Sequence, residues 1–184
     1  MRDQLELVVR DDEARDLLKY GQHYSANDDG IMYDIFDSPF MKEIKKTHLF
    51  DGDINLSLML FTDDFQPFKR SSHSMMLVHA IILDLPPEVR YHQKNMLQIC
   101  VTPGPRTVDA ISFLEPVLEE LESIATDGFH VQVGSSMLRV KAHLVLVGGD
   151  MPAASKMAGL IGHTGYHGCR FCYIKGTPLL MAKS

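Results

Sequence analysis

Two aspartates and one histidine–cysteine cluster are the residues of this sequence whose types and spacing could do chemistry. Asp63 follows a stretch in which Ile54, Leu56, Leu58 and Leu60 alternate with Asn55, Ser57, Met59 and Phe61, the period of a β-strand. Asp150 follows Gly148-Gly149 and the continuously apolar His143-Leu144-Val145-Leu146-Val147, which reads as a strand covered on both faces. Each acid therefore ends an apolar strand at its carboxyl side, where open α/β sheets collect their ligands. If the two strands are parallel neighbours, ~4.8 Å apart, the carboxylates meet. Two such acids repel unless a cation lies between them. Mg²⁺, or Mn²⁺ in its place, suits hard oxygen donors, and a pair of metals ~3.5 to 4 Å apart serves in-line phosphoryl transfer. Either Asp alone reads as an ordinary turn or cap residue, so the pairing carries the metal reading.

The second cluster is His163-Thr164-Gly165-Tyr166-His167-Gly168-Cys169-Arg170-Phe171-Cys172. A CxxC spacing lets Cys169 and Cys172 grip one tetrahedral Zn²⁺, and a closed site needs two further ligands, for which His163 and His167 are candidates. Unligated cysteines are the alternative. A redox dithiol is disfavoured, because no helix clearly starts at Cys169 to lower its thiol pKa. Cys100 lies inside an apolar run and reads as a small core residue.

The elements that must position these groups follow from hydrophobic periodicity. After the strand ending at Asp63, apolar runs over Met75–Leu85 and Asn95–Thr102 stop at Pro86-Pro87 and at Pro103-Gly104-Pro105, and three strands so closely spaced predict an antiparallel meander. A helix comes next, with Ile111, Leu114, Leu118, Leu121 and Ala125 on one stripe; Pro116 bends it or moves its start toward Thr107. Phe129–Val133 and Met137–Val147 read as two strands around Gly134-Ser135-Ser136, and Ala153–Ile161 as a short helix after Asp150. Upstream, Leu5–Tyr20 is a weak helical pattern broken by Arg10-Asp11-Asp12-Glu13, expected as an exposed helix. The reading is an α/β chain with an acidic N-terminal arm over 1–50 and a core over 51–184.

Composition bounds the function. At 184 residues, with 45% hydrophobic and 23% charged side chains, the chain can bury one sizeable core, and whole-chain disorder is excluded. No apolar run has membrane-spanning length, and the start lacks a secretory or mitochondrial pattern, so an intracellular address is the expectation. Three cysteines do not make a disulfide framework. The net charge of -6 argues against a simple basic nucleic-acid module. Residues 1–64 carry a net of -8 and residues 65–184 a net of +2, so a phosphate backbone could approach the later part. Phe65, Pro67, Phe68, Lys69 and Arg70 could contact DNA, although packing of the loop is the commoner use of such residues.

Taken together, these segments resemble a known family. Leu58–Lys69, containing Asp63-Asp64-Phe65-Gln66-Pro67-Phe68, resembles the "DGFxPF" segment of the CACTA (En/Spm-type) transposases, fungal copies especially. So do Asn95–Arg106, Phe113–Leu121, Gly149–Ala154 and Gly162–Cys172, in order over roughly residues 29–176. The resemblance implies a partial RNase H-like core (three-stranded meander, helix, and a further strand ending in the second acid) that acts on transposon-end DNA in the nucleus. It implies two Asp and a downstream Glu holding two divalent metals, with Asp63 matching the first acid, Asp150 the second, and Cys169 and Cys172 the CxxC. Homo-oligomers are compatible with it, a membrane is not. Asp64 stands where the family usually has Gly. No Glu or Asp follows Asp150, so the expectation is a piece of a DDE-type transposase, truncated after the second acid and inactive or impaired by itself. The alternative expectation is a non-catalytic zinc-binding interaction module derived from a transposable element.

Overall fold

The computed structural model describes residues 1–27, 29–68, 74–103, 110–160, 165–169, 172 and 174–177. Five strands, β1 (Ile54–Phe65), β2 (Met75–Ile82), β3 (Met96–Pro103), β4 (Phe129–Val133) and β5 (Ser136–Gly149), form one sheet in the order β3-β2-β1-β5-β4. The consecutive antiparallel pairs β1–β2 and β2–β3 are the expected meander. Helix α5 (Ala110–Thr126) carries the chain to the other side of β1, where the β4–β5 hairpin adds β5 parallel to β1. The parallel pairing needs such a crossover, since a tight turn can join only antiparallel strands.

Central strand β1 is buried on both faces because its alternation serves two cores. Ile54, Leu56, Leu58 and Leu60 face Leu114, Leu121 and Ile124 of α5. Met59 and Phe61 face Phe36, Met41, Ile81 and Leu83 on the opposite side. In α5 the buried stripe runs through Leu114, Leu121 and Ile124, whereas Leu118, expected inside, is 39% exposed. Pro116 lies within the helix. Strand β5 is less covered than its apolar run suggests: Val147 is 46% exposed.

The N-terminal segment departs most from expectation. Leu5–Tyr20 is not one exposed helix but two, α1 (Arg2–Arg10) and α2 (Asp12–His23). The charged run that weakens the helical pattern is the junction between them: Asp11 accepts a hydrogen bond from the Ala14 N–H at 2.7 Å and so starts the second helix. Leu5 and Val9 are fully buried in the main core, with Leu18 beside them. On the other sheet face, Pro39 opens α3 (Pro39–Lys45) behind the Ser38 cap. A buried ion pair then ties this segment to α4 (Pro87–Arg90), the Arg90 guanidinium donating to Asp34 at 2.9 Å, with the Tyr20 hydroxyl donating to the same carboxylate at 3.0 Å.

Asp84, just past β2, accepts from the Ser57 N–H at 2.6 Å and is buried beside Gly21. Burial pushes its pKa up to about 7, against the pull of the Ser57 N–H, Lys45 and Arg90. The unfolded chain releases this proton near 3.8, so between that value and about 7 the folded state holds a proton the unfolded state lacks. The stabilisation is therefore present at the acid side of this window and is lost as pH rises through it. Relative to Asp84→Asn, the wild type should lose up to about 3 kcal/mol of unfolding free energy between about pH 5 and about pH 8. Denaturant titrations at the two pH values measure this; a difference independent of pH contradicts it.

Candidate functional site

At the carboxyl ends of β1 and β5 the ladder pairs Leu60 with Val147, Phe61 with Gly148 and Thr62 with Gly149. Asp63 continues β1 and Asp150 directly follows the last residue of β5, so the register puts each acid one residue past the last paired level. Such strands run ~4.8 Å apart. Both acids are exposed. Asp150 also starts α6 (Met151–Met157): its Oδ1 accepts from the Ala153 N–H at 2.8 Å, which holds its side chain at the helix start. On β1, alternation puts Asp63 on the face of Phe61 and Asp64 on the face of Thr62.

Two glycines let the strands close. A Cβ on Gly149 would lie 2.7 Å from the Thr62 carbonyl oxygen and 2.9 Å from the Ala153 Cβ, so a larger residue would force β1, β5 and α6 apart. A Cβ on Gly148 would strike only the far end of Met59, a flexible side chain. Upstream, between Leu58 and Met59, the pairing slips by one residue, so that Val145 has no partner on β1. This bulge sets which β5 residues come level with Phe61 and Thr62.

Among the described residues, two buried polar side-chain atoms have no hydrogen-bond partner, Thr62 Oγ1 and His79 Nδ1. Thr62 is 1% exposed and adjoins Asp63; His79, on β2, is the cross-strand partner of Phe61. Buried polar groups are rarely left unpaired, and both of these lie within two ladder positions of Asp63. Sequence reasoning did not single them out. The available signal was parity: counted along the strands, His79 shares the face of Phe61 and Asp63.

In the second cluster the Cys169 and Cys172 sulfurs are 3.3 Å apart, with Cys169 half-buried and Cys172 exposed. Two thiolates on one tetrahedral zinc, each at ~2.3 Å, would be about 3.8 Å apart, so a small opening would admit the ion. His167 is exposed, and His163 lies outside the described residues. No group of three or more His, Cys, Asp and Glu among the described residues is placed to hold a metal. The two thiols are thus brought together, and the two acids are placed by the register of β1 on β5, each one residue past its last paired level.

The sequence pattern of the transposase family tnp2 matches residues 29–184. The chain belongs to the tnp2 transposase family. No curated protein matches it. Among the described residues of this transposase-family chain, no helix is long and apolar enough to cross a membrane. The magnesium that the transposase resemblance implies can be judged by the donors: two exposed carboxylates, each one residue past the last paired level of adjacent strands. Hard oxygen donors with open surroundings fit that ion, which keeps several waters.

The glycine geometry separates two neighbouring substitutions. Gly149→Ala should destabilise the chain by roughly 1 to 3 kcal/mol, because backbone must move, whereas Gly148→Ala should cost under about 1 kcal/mol. Chemical denaturation of both variants checks the order; equal losses would contradict it.

Proposed function

We propose that this chain carries the first two acids of a DDE-type transposase core of the RNase H-like kind, acting in the nucleus on the ends of a CACTA-type element. Asp63 and Asp150 are its metal-holding residues. The observation that carries the reading is the register of β1 on β5, in which Thr62 and Gly149 are level and the acids come next. The order of three meander strands, a helix and a strand parallel to the first also supports it.

In this reading the chain's own residues do the positioning. Asp63 is the first exposed residue after the part of β1 that is buried on both faces, and it stays paired with Leu77 of β2. Asp150 is fixed by its cap bond to Ala153. Divalent ions bound there would activate the attacking oxygen and stabilise the leaving one in an in-line phosphoryl transfer. In this reading complete strand transfer also takes the third acid that the transposase resemblance implies, a Glu. Titration of the chain with Mn²⁺, followed by electron paramagnetic resonance, should show binding that Asp63→Asn and Asp150→Asn each abolish. Asp64→Asn, on the other face of β1, should leave it intact. Unchanged binding in Asp150→Asn contradicts the reading.

A second reading rests on a different observation, the 3.3 Å between the Cys169 and Cys172 sulfurs. There the chain is a zinc-bearing interaction module, with His163 and His167 as the remaining candidate ligands. Elemental analysis of purified protein should find about one Zn²⁺ per chain, absent in Cys169→Ser. Folded, zinc-free wild-type protein contradicts it.

A further inference from the structure

His79 poses a problem that the fold does not solve. Its Nδ1 is sealed from solvent without a hydrogen-bond partner, in the middle of a strand where an apolar side chain would serve. Leaving a buried polar atom unpaired costs stability, so a purely structural position would be better filled by an apolar ring. The residue is nonetheless half-buried rather than enclosed, which leaves one edge of it open.

Register decides what lies near that edge. His79 is directly opposite Phe61, and Asp63 is two residues further along β1, opposite Leu77. The three side chains share one sheet face, and the diagonal from His79 to Asp63 is about 7 to 8 Å, the span of a hydrogen-bonded group held between two side chains. This face stays open at its β3 side: Val101, paired with Leu77, is 50% exposed, and Gln98, paired with His79, is exposed.

We propose that His79 is a substrate-contacting residue, whose Nε2 hydrogen-bonds a phosphate oxygen of the DNA strand presented to Asp63 and Asp150. The proposal rests on the reading of those acids as the metal-holding pair and adds the group that holds the strand beside them. Because Nδ1 makes no bond in the fold, function and stability pull in opposite directions at this residue.

The test uses the full chain and a short fluorescein-labelled oligonucleotide with Ca²⁺, read by fluorescence anisotropy, alongside thermal melting and the Mn²⁺ titration. His79→Phe keeps a ring in the sheet and removes both nitrogens. It should weaken oligonucleotide binding roughly tenfold, the worth of one hydrogen bond to a charged group, and raise the melting temperature by about 2 to 4 °C. Mn²⁺ binding should be unchanged. His79→Gln, whose amide reaches where Nε2 lies, should recover most of the binding. A His79→Phe chain that binds like wild type overturns the proposal, and so does one that melts earlier, since Nδ1 would then have been serving the fold. A wild-type chain that does not bind the oligonucleotide also overturns it. If Asp150→Asn keeps its Mn²⁺ while His79→Phe loses DNA, the contact stands and the metal reading of the acids falls.

Discussion

Everything proposed for this molecule depends on the approach of two parallel strands at Thr62 and Gly149. Two acids separated by nearly half of the chain come to adjacent strands only because β5 lies next to β1 in the same direction and in one register. Parallel pairing cannot be made locally; α5 must cross the sheet, and the apolar stripe that buries α5 against β1 and β5 is what makes the crossover stable. Gly149 is the point where this arrangement is least tolerant, because the Thr62 carbonyl and Ala153 occupy the space a side chain would need.

The segments before the sheet strengthen the same constraint from both sides. Leu5 and Val9 of α1 close the core that holds α5, and Phe36 and Met41 close the other face. The second face is anchored by polar groups as well as apolar ones. Asp37 accepts hydrogen bonds from the backbone of Asn27, Tyr33 and Asp34 and from the Tyr24 hydroxyl, and these donors hold its pKa well below the usual carboxylate range. The Asp34–Arg90 pair is buried on both partners. Removing one partner of such a pair leaves an uncompensated charge, so these contacts specify how the 20–45 region docks more than they add net stability. A central strand clamped on both faces up to Thr62 has little freedom, which suits the metal-holding role proposed for Asp63.

Much of this was legible in the sequence where the signal is local and periodic. The alternation of Ile54, Leu56, Leu58 and Leu60, the proline stops after β2 and β3, and the Gly134 turn mark the five strands closely. The end of β5 just before Asp150 is legible as well, whereas β1 runs two residues beyond Asp63, to Phe65, because it stays paired with β2, and the adjacency of the two strands has no local signal. The N-terminal helices were harder to read, because burial of Leu5 and Val9 depends on residues a hundred positions away, and the Asp11 cap looks in the sequence like a charged interruption. Leu118 fits the helical stripe by spacing, yet it is exposed while Ile124 is buried, a choice between neighbouring positions that spacing alone does not make. The unpaired nitrogen of His79 has no sequence signature at all, since partners are assigned only once β1, β2 and β3 are aligned.

The most direct measurement is the position of a bound ion. Crystals of the chain soaked in Mn²⁺ would locate it by anomalous scattering. The account predicts a peak that touches a carboxylate oxygen of Asp63 and one of Asp150 together, at close to the ~2.1 Å of a Mg²⁺–oxygen bond. A peak on one of these acids without the other, or none at this strand end while the ion binds elsewhere, would contradict it.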